Sequence, residues 1–464
     1  MRFRQIYYAA ILITMAVAAS NAIAGNISVH AARNIANQYM KQHCPSGLRA
    51  PAIADLQLVH AEASRAINNA CDYYAFNVKG GGFIIIAGED RATQVLGYSD
   101  NGYLDFDHLP CNLQGLLNCY KQEIEFLQTY RGNDLVPVSR AINSRGGVEP
   151  LIQTTWGQRE PYDWQCPMYN GEYCIVGCVA TAMAQVMKYW QYPEGCDGLA
   201  SYRTGTLNLL VPELPATTFD YSLMLNSYCH RDPVTNELVQ DTYTDAQAQE
   251  VAKLSRYCGQ AVRMNYGTDA SGASTSNVDE AMIAFGFDSV RYESRSYGGW
   301  WFIIDSIYIK QWEDLLRTEL DAGRPIIYAA HDNSAGVGHA FVCDGYNMEG
   351  KFHFNFGWYG YSNGWFASTA LDVSPREGVE RHYNSNHQVV CGLRPPEGWQ
   401  PPTAILKGDI NTDGKVNIID LTTLIDHLLG GGGTINHDAA DVDNKNGVTI
   451  ADLAILIDLL LTNT

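Results

Sequence analysis

Hydrophobic residues recur with two different periods along the chain, and these periods predict where helices and strands lie. Residues 178–190 carry apolar side chains at a helical spacing, and Pro193 follows the segment because proline cannot continue a helix. Further helical patterns cover 30–40, 114–130, 246–258 and 277–285. Short apolar runs typical of strands cover 75–78, 82–87, 325–329, 339–344, 351–356 and 388–391. This order predicts an α+β fold.

Changes in composition divide the chain into five segments. Residues 1–24 combine Arg2 and Arg4 with an apolar run and a small-residue cleavage site, the pattern of an export signal. Residues 25–147 form an α+β module whose polar end, from 133 onward, reads as an exposed linker open to proteolysis. A larger body at 148–393, a proline-rich linker at 394–404 and a final module at 405–464 follow.

Charge and cysteine content restrict the classes of function. Fifty acidic residues against thirty-one basic ones give a net charge of −19, which argues against nucleic acid and anionic membrane surfaces. No stretch after the signal is long enough to span a bilayer. Because the N-terminus carries an export signal, we expect an exported protein. Export permits disulfides among the twelve cysteines, but the sequence does not fix their pairing. Cys166, Cys174 and Cys178 lack a matching Cys/His pair, which disfavours a zinc site.

Cys178 is the first candidate for chemistry, because it begins the predicted helix directly after Gly177. The unpaired amides and the positive dipole at a helix N-terminus stabilise a thiolate, the form that attacks carbonyl groups. The alternative is a buried structural cysteine or half of a disulfide. A nucleophilic cysteine also needs a base, a group that orients the base, and donors for the oxyanion.

His339 is the best candidate base, since it opens a strand after a glycine-rich segment. A hairpin that turns near residue 348 would bring residues 355–358 close to it. Asn355 could then accept from the imidazole and fix its tautomer. Three other histidines remain rivals on spacing alone: His331, His353 and His387.

The last segment contains a repeat of acidic loops, each followed by an apolar helix. In the first copy Asp409, Asn411 and Asp413 offer side-chain oxygens, Lys415 its carbonyl and Asp420 the twelfth position, which is a ligand set for Ca²⁺. The second copy, thirty-two residues later, keeps Asp441, Asp443 and Asp452. It places Lys445 among the ligands, so we expect it to bind Ca²⁺ weakly or not at all. The alternative is a pair of acidic turns on a solvated surface.

Two motifs resemble those of the streptopain-type peptidases in the papain superfamily: residues 177–182, which contain Cys178, and 338–342, which contain His339. The likeness spans residues 27–393. It implies Cys178 as nucleophile, His339 as general base and acid, Gln158 with the Cys178 amide as the oxyanion hole, and Asn355 as the orienting group. It also implies that the substrate cleft is bordered by Gly338, Gly272 and Trp358. Phe356 stands where the family commonly has a tryptophan.

The resemblance implies a papain-like domain with a helical subdomain carrying the cysteine and an antiparallel β subdomain carrying the histidine. An inhibitory α+β propeptide would precede it. The final module resembles a dockerin, a small all-α pair of loop-helix repeats that binds Ca²⁺ and usually implies a cohesin partner.

We therefore expect a secreted bacterial zymogen of a cysteine endopeptidase, located outside the cell, in the periplasm or at the cell surface. It would cleave protein or peptide substrates, with a hydrophobic residue two before the scissile bond, and catalysis would need no cofactor. The alternative is a non-catalytic or acyl-transferring papain-like scaffold tethered through its dockerin-like module.

Overall fold

The chain divides into two compact units, one that extends to Pro396 and one from Glu397 to the end. A computed structural model describes residues 25–43, 51–132, 135–137, 146–232, 237–296, 306–332, 339–375, 385–399, 407–411, 415–431, 435–442 and 448–462. The export signal expected at 1–24 lies outside the described residues. None of the helices among these ranges is both long and apolar enough to cross a membrane.

The N-terminal part of the first unit is a helix packed on antiparallel strands. Helix α1 (Val29–Gln42) begins where the Ser28 side chain accepts the Ala31 amide, a helix N-cap. Its buried residues Ala32, Ala36 and Met40 recur every four positions and face the sheet. The four strands are β1 (Leu56–Ala63), β2 (Cys71–Val78), β3 (Phe83–Ala87) and β4 (Val95–Ser99).

Helix α2 (Cys111–Thr129) follows these strands and carries a long apolar face. A short strand, β5 (Leu135–Pro137), comes next. Beyond it, the helical part of the unit contains α3 (Cys178–Trp190), α4 (Asp245–Ala261) and α5 (Val278–Ala284). This part also contains three two-stranded ribbons, made of β6 (Met168–Tyr169), β7 (Glu172–Tyr173), β8 (Gly195–Cys196), β9 (Tyr202–Arg203), β10 (Leu210–Val211) and β11 (Thr217–Thr218).

A further short hairpin pairs β12 (Cys229–Arg231) with β13 (Leu238–Gln240). The β part then contains one helix, α6 (Ser306–Asp321), and longer strands. These strands are β14 (Arg291–Ser296), β15 (Ile326–Asp332), β16 (His339–Tyr346), β17 (Phe352–Asn355), β18 (Gly364–Phe366), β19 (Val373–Pro375) and β20 (Ser385–Cys391).

One antiparallel sheet of ten strands joins the two ends of this unit, in the order β1-β2-β3-β4-β18-β17-β16-β15-β20-β14. The junction is the pair β4–β18, where Tyr98 lies opposite Trp365 and Gly97 opposite Phe366. Gly97 is required there, because a β-carbon would come within 2.3 Å of the Phe366 ring. The modules expected at 25–147 and 148–393 therefore share a sheet.

Helices cover both faces of the central strands, with α2 and α6 on one face and α3 on the other. Alternate residues of β15 and β16 point to α2 on one face, and these are Ile326, Tyr328, Ala330, Phe341 and Cys343. The residues between them point to α3 on the other face, and these are Ile327, Ala340 and Val342. Helix α2 is also fixed at its side by Glu123, whose Oε2 accepts from Thr369 Oγ1 at 2.9 Å and from the Ala370 amide at 2.6 Å.

The segment expected as an exposed linker, residues 133–147, is partly ordered by pairing. Residues 135–137 form β5, which runs antiparallel to β19 with Val136 opposite Ser374. Val148 then bridges Tyr346 through two backbone hydrogen bonds of 2.8 and 2.9 Å.

The second unit is built from helices in its described part: α7 (Ile418–Leu428), α8 (His437–Ala440) and α9 (Ile450–Thr462). Its small core contains Ile410, Leu424, Ile435, Ala440 and Leu456. Helix α7 begins with a capping box, in which Asn417 accepts the Ile419 amide at 2.8 Å and Asp420 accepts the Asn417 amide at 2.9 Å.

Candidate active site

Cys178 is the first residue of α3, and Gly177 makes this position possible. Gly177 has φ of +89°, a conformation that side chains rarely adopt, and a β-carbon there would meet Met264 Sδ and Cε at 2.7 Å. The chain therefore turns sharply into the helix with the thiol at the start of its first turn. Sequence spacing predicted this placement.

The Cys178 thiol is buried, with 5% of its surface exposed, between α3 and the start of β16. The Ala340 amide donates to Sγ at 3.4 Å. Burial raises the pKa of the thiol above its ordinary value, while the amides of Ala340, Val179 and Cys178 itself act in the opposite direction. The sequence led us to expect a stabilised thiolate, but desolvation outweighs the helix end in this structure.

His339 begins β16, where its backbone lies opposite Ala330 and directly precedes the Ala340 amide that contacts the thiol. The His339 side chain and Gly338 lie outside the described part of the structure, as does the side chain of the rival His331. The other two rivals have partners. His353 Nδ1 pairs with Asp344 Oδ1 at 2.6 Å, and His387 Nδ1 pairs with the Tyr328 hydroxyl at 2.7 Å.

Gln158 approaches α3 from the preceding segment. Its carbonyl accepts the Val176 amide at 3.1 Å, which ties it to the residue two before Cys178. The side chain is 5% exposed, and its Nε2 has no hydrogen-bond partner among the described residues. A buried amide donor without an acceptor is costly, so such groups in native proteins commonly serve a ligand or a reaction.

Asn355 ends β17 opposite Val342 and is 2% exposed. Its Nδ2 donates to the Thr154 carbonyl at 2.7 Å. Its Oδ1 accepts from Gln185 Nε2 at 3.4 Å and from the Gly357 amide at 3.2 Å. Asn355 is thus fixed by three segments of the chain, and its carbonyl oxygen holds two donors.

Asn112 in α2 is a residue of this region that sequence reasoning missed. It is fully buried, and its Nδ2 donates to the carbonyl of Ala340 at 3.1 Å and to that of Phe356 at 2.6 Å. Its neighbour Cys111 is close enough to Cys178 that the charge of Cys178 contributes to raising the pKa of Cys111 to about 12, after the larger effect of burial. The N-terminus of α2 therefore reaches the site from the face opposite α3.

Two of the three residues predicted to border the cleft, Gly272 and Trp358, lie in the described part of the structure. Gly272 lies in the loop after Met264 and bridges Asn265 through backbone bonds of 2.9 and 3.3 Å, with open space where a β-carbon would be. Trp358 is half-buried against the core on the α2 side. Its indole nitrogen is buried and has no partner among the described residues.

The expected calcium ligands lie around the start of α7 and α9. Asp420 is fully buried, and its Oδ1 accepts the amides of Ile410 and Asn411 at 2.8 and 3.2 Å. Asp452 Oδ2 accepts the Thr449 amide at 2.8 Å. Asp409, Asn411, Lys415 and Asp441 are also described, whereas Asp413, Asp443 and Lys445 lie outside the described residues. The donor set of each loop is made of oxygen atoms, which suits Ca²⁺.

The side chains that the structure describes do not assemble a metal site, and this applies to the acidic loops as well as to the cysteines. No group of three or more His, Cys, Asp or Glu side chains in the described ranges is arranged to hold a metal ion. The eleven cysteines that the structure describes, including Cys166, Cys174 and Cys178, are all thiols.

Three family models match the chain in succession. Residues 24–124 match the Spi protease inhibitor model, 156–366 the Peptidase C10 family and 407–461 the dockerin type I domain. The fold, the buried thiol and these matches define a cysteine peptidase preceded by an inhibitor-like propeptide. More narrowly, the catalytic domain belongs to the Peptidase C10 family, the streptopain-type peptidases.

Individual relatives agree with this assignment. The chain is 28% identical over 410 residues to the thiol protease/hemagglutinin PrtT of Porphyromonas gingivalis, and the match covers 83% of this chain but 44% of PrtT. It is 28% identical over 352 residues to streptopain of Streptococcus pyogenes, covering 69% of this chain and 80% of streptopain. A fragment of Prevotella intermedia prointerpain A has a TM-score of 0.57 and 26% identity, covering 74% of this chain and 99% of the fragment.

Proposed function

We propose that this protein is an exported zymogen of a cysteine endopeptidase whose reaction is carried by Cys178 and His339. The observation that supports it most is the Cys178 thiol at the N-terminus of α3, in contact with the amide of the residue after His339. In the proposed reaction the thiolate attacks the scissile carbonyl, and His339 donates the proton to the leaving amine. Water, activated by the same histidine, then hydrolyses the acyl-enzyme.

Two further side chains complete the proposed site. Gln158 Nε2, together with the Cys178 amide, would donate to the oxyanion, and its lack of a partner among the described residues leaves it available for this purpose. Asn355 would orient the imidazole in the mature enzyme, exchanging one of the two donors on its Oδ1 for the ring N–H. Substrate would lie along Gly338, Gly272 and Trp358, as an extended peptide with a hydrophobic residue two before the scissile bond.

The proposed latency comes from α2. Asn112 holds the carbonyl of Ala340, which follows His339 in the chain, and that of Phe356, which follows Asn355, and burial keeps the Cys178 thiol protonated. Cleavage between residues 133 and 147 would release the segment 25–147 and open the site. The resemblance to a Spi protease inhibitor over residues 24–124 supports an inhibitory role for this segment.

The C-terminal unit would serve as a calcium-dependent attachment module. Asp409, Asn411, Asp413 and Asp420, with the Lys415 carbonyl, would hold one Ca²⁺ and order the start of α7. Asp441, Asp443 and Asp452 would form a weaker second site. A cohesin-like protein is the proposed partner, by analogy with the family that residues 407–461 match.

The decisive experiment compares Cys178→Ala with Cys174→Ala in the full chain under reducing conditions. Cys174 is the matched control, since it is also a buried thiol and precedes the nucleophile by four residues. We expect the Cys178 variant to lose peptidase activity by at least about 10³-fold and to remain at full length, whereas the Cys174 variant matures and cleaves peptides. Equal maturation and hydrolysis by both variants would refute the proposal.

Calorimetric titration of the full chain with Ca²⁺ tests the attachment module. We expect one tight site that Asp420→Ala abolishes and that Asp452→Ala leaves in place. Two sites of equal affinity would contradict the proposed weakness of the second loop, and no uptake would exclude calcium binding altogether.

A further inference from the structure

Three buried residues form a closed ring of hydrogen bonds next to the site, in which one acceptor is a backbone carbonyl. Thr154 Oγ1 donates to Gln185 Oε1 at 2.9 Å, Gln185 Nε2 donates to Asn355 Oδ1 at 3.4 Å, and Asn355 Nδ2 donates back to the Thr154 carbonyl at 2.7 Å. None of the three is more than 3% exposed. Water is therefore excluded, and the three groups satisfy one another.

Each member of the ring belongs to a segment that carries a residue of the proposed site. Thr154 is four residues before Gln158, the proposed oxyanion donor. Gln185 is two helical turns after Cys178 on α3, so it lies near the same side of the helix. Asn355 ends β17 and leads into Gly357 and Trp358.

The ring holds the segment that carries Gln158 at a fixed distance from α3 and from the end of β17. Residues 152–158 belong to no helix or strand, so the position of Gln158 depends on bonds to neighbouring segments. The Val176 amide bonds Gln158 itself, the Thr155 amide bonds the Asn226 carbonyl, and the Trp156 carbonyl accepts the Tyr359 amide. The Thr154–Gln185 bond is a direct link between this segment and α3. An oxyanion donor must be placed within about 0.5 Å of its working position to stabilise the transition state.

We propose that Gln185 is a positioning residue for catalysis: through Thr154 it sets where the Gln158 amide stands relative to the Cys178 nucleophile. This inference rests on the proposed oxyanion role of Gln158. Loss of the Gln185 amide leaves Thr154 Oγ1 and Asn355 Oδ1 without one partner each and removes the direct link between Thr154 and α3, so the 152–158 segment is held less tightly. Stabilisation of the oxyanion then falls, while the thiol itself stays in place at the start of α3.

The test separates two reactions of the same thiol in the matured enzyme. Peptide hydrolysis and reversible binding of a peptide aldehyde both create an oxyanion, whereas alkylation by iodoacetamide does not. We expect Gln185→Met to lower kcat by about 10- to 100-fold with KM changed less than about twofold, and to weaken aldehyde binding in parallel. The alkylation rate of Cys178 should change by less than about twofold.

Matched variants exclude a general loss of stability. Thr154→Val removes the same bond from the other side and should reproduce the effect, Thr154→Ser should restore most of the rate, and the Gln185→Met/Thr154→Val double variant should lose little more than either single one. Tyr189→Phe is the control on the same helix, because it removes a 2.9 Å bond to the Gly323 carbonyl outside the ring. An equal loss in Tyr189→Phe, or alkylation slowed as much as hydrolysis, would overturn the inference.

A Gln158→Ala variant distinguishes the failure of this inference from failure of the underlying proposal. If Gln158→Ala keeps full kcat, the oxyanion role of Gln158 is wrong and the positioning role falls with it. If Gln158→Ala lowers kcat and Gln185→Met and Thr154→Val do not, only the positioning role of Gln185 is wrong.

Discussion

The two faces of strands β15 and β16 are covered by helices from different parts of the chain. Helix α3 covers one face, carries Cys178 and belongs to the catalytic domain. Helix α2 covers the other face together with α6, contributes seven buried hydrophobic residues from Leu113 to Leu127, and belongs to the segment that matches an inhibitor family. The catalytic domain is therefore packed on both sides in this form, although one of the two sides is proposed to be temporary. The proposed latency would thus depend on ordinary core packing as well as on contacts at the site.

The largest expected effect comes from shortening a core residue on one face or the other. Leu116 on α2 and Met183 on α3 are both fully buried, and replacing either with alanine should destabilise the zymogen by about 3 kcal/mol. After maturation only Met183→Ala should still lower stability, because α2 has been removed. Denaturant unfolding of zymogen and mature enzyme measures both. A mature enzyme that Leu116→Ala destabilises as strongly would show that α2 is retained.

Asn112→Ala should have the next largest effect. It removes two buried hydrogen bonds and leaves the Ala340 and Phe356 carbonyls without this donor, which should cost about 2 kcal/mol of zymogen stability. We expect faster maturation and an unchanged kcat of the mature enzyme. Gel electrophoresis measures the first and peptide hydrolysis the second. Gln128→Ala, at the other end of α2 where the side chain bonds Cys71, is the control that should not speed maturation as much. Equal acceleration by both would mean that α2 acts only through its overall stability.

The thiol should also respond to the loss of α2. Because burial raises the pKa of Cys178 in the zymogen, the reactive thiolate is scarce at neutral pH, and removing the cover should lower that pKa. Alkylation of Cys178 at pH 7, followed by peptide mapping, should be at least about tenfold faster in the mature enzyme, which corresponds to a pKa difference of about one unit. Identical pH–rate profiles in the two forms would contradict the assigned cause.

The smallest expected effect concerns pH and the N-terminal module alone. Burial and the charge of Glu125 raise the pKa of Asp72 to about 7, from an ordinary value of 3.8. The folded state thus favours the protonated carboxyl, so the contribution of Asp72 to zymogen stability is fully present below pH 4 and is lost as the pH rises toward 7. Asp72→Asn should remove this decline and be about 1 kcal/mol more stable than wild type at pH 8, with no difference at pH 4. Thermal unfolding of both proteins across this pH range tests the prediction. An Asp72→Asn variant that is less stable than wild type at pH 8 would contradict it.

The sequence predicted the elements of both faces but not the contacts that join them. Helices α2 and α3 and strands β15–β17 follow from regular apolar periods, and Cys178 and His339 from their places at the starts of elements. Asn112 could not be found in this way, because its two acceptors lie more than 200 residues away and a polar residue at a helix start usually serves as a local cap. A resemblance to the family's propeptide marked the segment but not the residue.

The thiol shows the same division between local and long-range causes. Its position at a helix N-terminus is local and correctly predicted a thiol at the start of α3, yet the direction of its pKa shift is set by burial, which outweighs the Ala340 amide that β16 contributes. The ring of Thr154, Gln185 and Asn355 is likewise invisible in the spacing, since its three members come from segments that only the fold places together.

The pairing of β4 with β18 has a consequence for the enzyme once it is free. Strand β18 is flanked by β17 on one side and by β4 on the other, so departure of the N-terminal module leaves its outer row of backbone N–H and C=O groups open. Such an edge can pair with another extended chain, and the apolar side chains of Trp365 and Phe366 favour that pairing. The length of three residues limits how firmly a stray strand can attach. The N-terminal module therefore covers an edge at which other extended chains could pair, in addition to its proposed restraint of the chemistry.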